Sequence, residues 1–198
     1  SIGKGRKKKF VDHGKIFNDN QDEISFYQFL LDAFHLCDIY SQDHAPIYVC
    51  HATKTQIPFF TAFRDAGYLF NQTIIWLKER IILALGQDYH RVYEPIMFGW
   101  KQGSKHFANR QMQTDKEVWD LDRRTFEERL DVWYIARDKS KDYIHQTQKP
   151  IRLVERALKK SSKINDLIYD PFSGSASTLM ACEQMDRRCY TMDLDPKY

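Results

Sequence analysis

The residues best suited to chemistry lie near the C-terminal end, where a short apolar stretch, Asp166 to Asp170, runs into Pro171-Phe172-Ser173-Gly174-Ser175-Ala176-Ser177-Thr178. A turn of small residues feeding a helix lets backbone approach a ligand closely. Nineteen positions after Gly174 stands Asp193, about where an acidic side chain reaches the ribose hydroxyls of a bound nucleoside. Phosphate-binding alternatives fail on residue type. A P-loop needs a Gly-Lys-Ser/Thr ending, and no lysine lies between Asp170 and Thr178. A dinucleotide fingerprint needs three spaced glycines, and the turn has only Gly174. A phosphate-free cofactor with an amino-acid tail, a ribose and ammonium and sulfonium charges, S-adenosylmethionine, suits Asp170 at the strand end. A purely structural turn is the other reading of the same residues.

Other chemistry is weakly supported. Cys37, Cys50, Cys182 and Cys189 form no CxxC pair and no regular framework, which suits reduced thiols better than disulfides or a zinc knuckle. Cys50 and His51 are neighbours whose side chains would point to opposite faces of a strand, so no metal site is expected.

The elements that must position the turn are legible from periodicity. Apolar residues recur at three and four from Asp22 to Cys37, predicting an amphipathic helix. Pro46 to Cys50 predicts a short buried strand, Gln56 to Ala66 a helix closed by Gly67, and Tyr68 to Lys78 a strand. Arg91 to Lys101 predicts a strand antiparallel to its predecessor. Lys149 to Ser161 predicts a helix with Pro150 in its first turn. A strand at 166–170, a helix from about Ala176 to Met185 and a strand from Arg188 to Asp193 form a parallel strand–helix–strand unit.

Composition frames these elements. The chain has 198 residues, 42% hydrophobic and 29% charged, which predicts one folded domain rather than a disordered segment. No apolar stretch approaches the roughly 18 residues of a membrane span and no signal peptide opens the chain, predicting a soluble intracellular protein. The net charge of +3 says less than its distribution. Lys4, Arg6, Lys7, Lys8 and Lys9 sit among glycines in residues 1–20, a mobile basic loop suited either to phosphates or to simple solvation. Residues 101–141 mix both charges with aromatics and read as an insertion, either a solvated loop or a recognition element.

Three segments together resemble one family. Asp170-Pro171-Phe172-Ser173-Gly174-Ser175 resembles the methionine-binding loop of amino-group DNA methyltransferases, usually D-P-F-x-G-S-G-T. The segment from Cys189 to Tyr198 is similar to the one that follows it, with Asp193 at the ribose-binding acid. His145-Gln146-Thr147-Gln148-Lys149-Pro150 resembles H-P-T-Q-K-P, which closes over the cofactor from the start of a helix. Their order is similar to the circularly permuted class called beta, in which the catalytic half comes first. The earlier half resembles the family's hairpin at Ile75-Trp76-Leu77-Lys78, at the strand from Tyr93 to Trp100, and at the turn from Lys101 to His106. Ala176 and Gln146 depart from the usual glycine and proline.

The resemblance implies a Rossmann-like fold with a mixed, mostly parallel sheet and helices on both faces. It implies methyl transfer from S-adenosylmethionine to the exocyclic amino nitrogen of a flipped base in double-stranded DNA, N6 of adenine being preferred to N4 of cytosine. Asp170, Pro171, Phe172, Ser173, Gly174 and Ser175 would frame the cofactor's amino-acid part, Asp193 would bind the ribose, and Thr147, Gln148 and Lys149 would clamp the flank. Arg110, Arg123 and Arg124 would read base edges from the 101–141 segment. The implied setting is the cytoplasm of a bacterial or phage-infected cell, with a restriction–modification role, no membrane partner, and a homodimer as a compatible assembly. The family's catalytic Asp/Asn/Ser-Pro-Pro-aromatic motif does not occur in these residues; in relatives it precedes the segment that begins at Ser1, and a further strand follows Tyr198. A non-catalytic cofactor- or DNA-binding fragment is one competing reading, and a nicotinamide oxidoreductase, which needs phosphate-binding glycines that the turn lacks, is the other.

Overall fold

The computed structural model describes residues 21–82, 88–108, 130–137 and 148–194. Helix α1 spans Glu23–Tyr40. Asp22 caps it, its carboxylate accepting the Ile24 and Ser25 backbone N–H groups at 3.1 and 3.0 Å. The helix runs beyond the expected Cys37 because Lys101, far along the chain, donates to the Asp38 and Ser41 carbonyls at 2.7 Å each and satisfies its last turn.

Strand β1 (Pro46–Cys50) leads through a 3-10 turn at Thr53–Thr55 into α2 (Gln56–Asp65), β2 (Tyr68–Ile82) and β3 (Arg91–Lys101). Gly67, with φ of +89°, turns the chain from α2 into β2. The β2–β3 hairpin is antiparallel, as its intervening polar segment predicts, and β1 adds antiparallel to the free side of β3. A strand that periodicity did not disclose, β4 (Val132–Tyr134), pairs in parallel with β2. Three residues carry too little pattern to read, yet Trp133 is buried and the Trp76 indole N–H donates to the Ile135 carbonyl at 2.8 Å, which pins the register. Part of the 101–141 segment therefore belongs to the sheet.

The sheet alternates as a half-buried strand must. Ile47, Val49 and Met97 pack with Leu30, Phe34 and Phe63 of α1 and α2. On the opposite face Tyr48, Ile96 and Phe98 join Ile74, Trp76, Trp133 and Leu153 of helix α3 (Ile151–Ser161). Helices thus cover both faces, as expected. At Gly99 an added Cβ would lie 2.2 Å from the Leu69 carbonyl oxygen and 2.9 Å from the Phe63 ring, so close packing of α2 on the hairpin requires glycine.

The remaining unit is β5 (Leu167–Asp170), helix α4 (Ser177–Gln184) and β6 (Arg188–Thr191), with β5 and β6 parallel. Parallel pairing is thus found at β5–β6 and β2–β4, while the hairpin half is antiparallel. Tyr48 ties the two parts together through α3, its hydroxyl lying 2.6 Å from Ser161 Oγ. Burial pushes the Tyr48 phenol up to about 12, so it stays a neutral structural group. Among the described residues β1, β4, β5 and β6 each keep one edge without a strand partner.

Candidate cofactor site

The loop from Asp170 to Ala176 leaves β5 at its carboxyl end, the usual location of ligands in open α/β sheets. Its shape comes from two carboxylates. Asp170 accepts the Phe172 backbone N–H at 3.0 Å through one oxygen and the Thr178 hydroxyl at 2.5 Å through the other. Asp193 accepts the Gly174 N–H at 2.7 Å. The loop also docks on the end of β6 through Ser173 N–H to the Met192 carbonyl, 2.9 Å. Structure therefore brings Asp170, Phe172, Ser173, Gly174, Ser175 and Asp193 into one locus, and gives both acids the additional task of holding the turn.

Gly174 has φ of +50° and Ala176, the N-cap of α4, has φ 58° and ψ 28°. The left-handed conformation at Ala176 accounts for the preference for glycine in the motif it resembles: a Cβ is tolerated there only with strain. Ala176 also has no side chain able to cap α4.

Lys149 approaches from the segment just before α3, with Gln148 preceding it in the chain. The Ser177 hydroxyl donates to the Lys149 carbonyl at 2.6 Å and lies 3.0 Å from the Ser175 hydroxyl. Pro150 is the N-cap of α3 rather than a residue of its first turn, a one-residue shift with no effect on the contact. Thr147 lies outside the described residues, as do Lys4, Arg6, Lys7, Lys8, Lys9, Arg110, Arg123 and Arg124.

Several residues at this locus carry no local sequence signal. The Phe29 ring of α1 sits 5.9 Å from that of Phe172, centroid to centroid. Lys78 on β2 is fully buried and pairs with Glu94 Oε1 on β3, while Lys149 Nζ lies 3.5 Å from Glu94 Oε2. Burial alone would raise the Glu94 carboxyl, but the Lys149 charge and the Lys78 bond outweigh it and hold the group below its ordinary value. Burial lowers Lys78, partly offset by Glu94. These partners come from three elements, so only the fold reveals them; Lys78 and Glu94 stand in motif-like segments but nothing in the sequence pairs them.

The donor set suits a particular ligand chemistry. From Asp170 to Asp186 there is no lysine or arginine, so the loop offers carboxylates, hydroxyls and small residues, which fit hydroxyls and cationic groups and not a phosphate. Phe172 and Met192 are exposed beside it, apolar surface suited to a nucleoside or thioether-like body. Among the described residues no group of three or more His, Cys, Asp or Glu could hold a metal ion, and no helix is long and apolar enough to cross a membrane.

Comparison with known proteins agrees with this arrangement. The Type II methyltransferase M.HinfI of Haemophilus influenzae is 23% identical over 209 residues, covering 93% of this chain and 56% of its own length. The chain thus spans about half the length of that relative. Among solved structures, an M1.HpyAVI–SAM complex superposes with a TM-score of 0.69 at 18% identity, covering 86% of this chain and 78% of the other. The PvuII cytosine-N4-specific DNA methyltransferase superposes with a TM-score of 0.72 at 11% identity, covering 96% and 74%. The fold is that of these methyltransferases. The N6/N4 family described as DNA methylase matches residues 4–198, a span that includes the hairpin, the turn with its paired acids and the segment leading to them, and the chain belongs to that family.

Proposed function

We propose that the protein transfers a methyl group from S-adenosylmethionine to an exocyclic amino nitrogen in double-stranded DNA, with N6 of adenine as the target. The observation that carries this reading is the acid-paired turn, Asp170 and Asp193 holding a loop that lacks any phosphate-binding cation. S-adenosylmethionine supplies a methyl group on a cationic sulfur, electrophilic without metal assistance. Phe172, Ser173, Gly174 and Ser175 would line its amino-acid portion, Asp193 would accept from the ribose hydroxyls, and Gln148 and Lys149 would flank it together with Thr147. M1.HpyAVI was solved with SAM bound, which supports the cofactor assignment.

The amino nitrogen of a base is a weak nucleophile because its lone pair is conjugated with the ring. Catalysis therefore rests on orienting acceptors and on holding the base outside the helix. Those acceptors belong to the Asp/Asn/Ser-Pro-Pro-aromatic motif, which these 198 residues do not contain. Lys4, Arg6, Lys7, Lys8 and Lys9 would neutralise DNA phosphates, and Arg110, Arg123 and Arg124 would contact base edges. The order of segments, hairpin half before cofactor loop, supports the permuted beta-class arrangement.

Cytosine N4 is the second reading, favoured by the superposition on the PvuII enzyme. Incubation of the intact protein with methyl-tritiated S-adenosylmethionine and double-stranded DNA, followed by nucleoside chromatography, separates the two. Label in N6-methyladenine supports the first, label in N4-methylcytosine the second, and no transfer by the intact protein contradicts both.

A further inference from the structure

Lys78 presents an ammonium group with no solvent exposure, 4.8 Å from the centroid of the buried Trp76 ring. A buried cation is tolerated only when paired, and its partner is Glu94 Oε1. That bond fixes one oxygen of a partly exposed carboxylate and directs the other, Oε2, to Lys149 Nζ at 3.5 Å. Lys149 then presents its carbonyl to Ser177 at 2.6 Å, and Ser177 meets Ser175 inside the loop. The contacts form a continuous polar path from the β2–β3 hairpin through the segment before α3 to the far end of the turn, which pairs with neither hairpin strand.

We propose that Glu94 is a positioning residue for the cofactor loop, holding the Lys149 segment against Ser177 so that the turn is preformed before cofactor arrives. The proposal rests on the reading of residues 170–177 as the cofactor loop, but the tie itself can be tested without ligand. A carboxylate whose two oxygens serve two different lysines does more than neutralise the buried one: loss of the second contact frees the start of α3 while leaving the hairpin core intact. Preorganisation of this kind appears in affinity, since a loop that must be ordered on binding weakens the complex.

The experiment uses the intact protein and compares it with Glu94→Gln, Lys149→Met and their combination. Because Glu94→Gln leaves Lys78 buried without its counter-charge and endangers folding, a Lys78→Met/Glu94→Leu pair replaces the buried ions by apolar groups of similar size. Hydrogen exchange without cofactor is expected to be about tenfold faster at amides 172–178 in the Glu94 variants, with α2 and β1 amides unchanged. In the Glu94 variants the S-adenosylmethionine Kd is expected to weaken about tenfold and KM to rise with kcat retained. At amides 172–178, Glu94→Gln should add nothing to the exchange already raised by Lys149→Met. Unchanged exchange at 172–178 in a folded Glu94 variant, or an equal rise throughout α2 and β1, overturns the proposal. An intact protein that binds no S-adenosylmethionine while the loop exchange responds as expected counts against the cofactor reading and leaves the tie standing.

Discussion

The hairpin half and the β5–α4–β6 half are built by different means. In the first, Phe63, Trp76, Ile96 and Met97 are almost wholly buried and side-chain packing fixes the geometry. In the second, among the described residues, Ala181 and Cys182 form a small buried cluster with Leu158 of α3, while Tyr169, Tyr190 and Met192 remain exposed. Its functional turn is shaped by hydrogen bonds to Asp170 and Asp193. A packed core is disrupted chiefly by added volume, whereas a hydrogen-bonded turn is disrupted chiefly by loss of its acceptors. The scaffold and the site should therefore fail through different substitutions.

Gly99→Ala should be the most damaging single change in the scaffold. The new methyl would meet a backbone carbonyl, which cannot rotate away, so unfolding free energy should fall by about 3 kcal/mol, measured by urea denaturation. In the site, Asp193→Ala should leave the scaffold folded but weaken S-adenosylmethionine binding by roughly 1.5–3 kcal/mol, the range for a hydrogen bond to a charged group; calorimetry reads it directly. Lys101→Met removes the donor to two α1 carbonyls and should cost about 1.5 kcal/mol of stability without altering cofactor affinity, a pattern opposite to that of Asp193→Ala. Smallest, and opposite in sign, is Ala176→Gly: relief of the left-handed strain should stabilise the chain by roughly 1 kcal/mol, visible as a raised Tm.

The same division explains what the sequence disclosed. β1 and β3 have the predicted bounds, because their apolar runs end at strong local signals. The turn at Asp170 is legible as a candidate because small residues let backbone approach a ligand, and its resemblance to the methionine-binding loop distinguishes it from a purely structural turn. What was not legible is non-local. The last turn of α1 depends on Lys101, 60 to 63 positions away. β2 continues to Ile82, beyond the expected Lys78, with Arg91 of β3 as the partner of its last residue. Strand β4 is held by its pairing with β2, Trp133 opposite Trp76, and by the Trp76 bond to the Ile135 carbonyl. The Lys78–Glu94–Lys149 path joins residues that sequence spacing cannot relate.

The assignment of the acid-paired turn to a phosphate-free nucleoside cofactor is the claim on which the functional reading depends. Calorimetric titration of the intact protein with S-adenosylmethionine and, in parallel, with NAD tests it most directly. Saturable binding of S-adenosylmethionine, lost or much weakened in Asp193→Ala, with no binding of NAD, is the predicted result; NAD binding without S-adenosylmethionine binding would contradict the account.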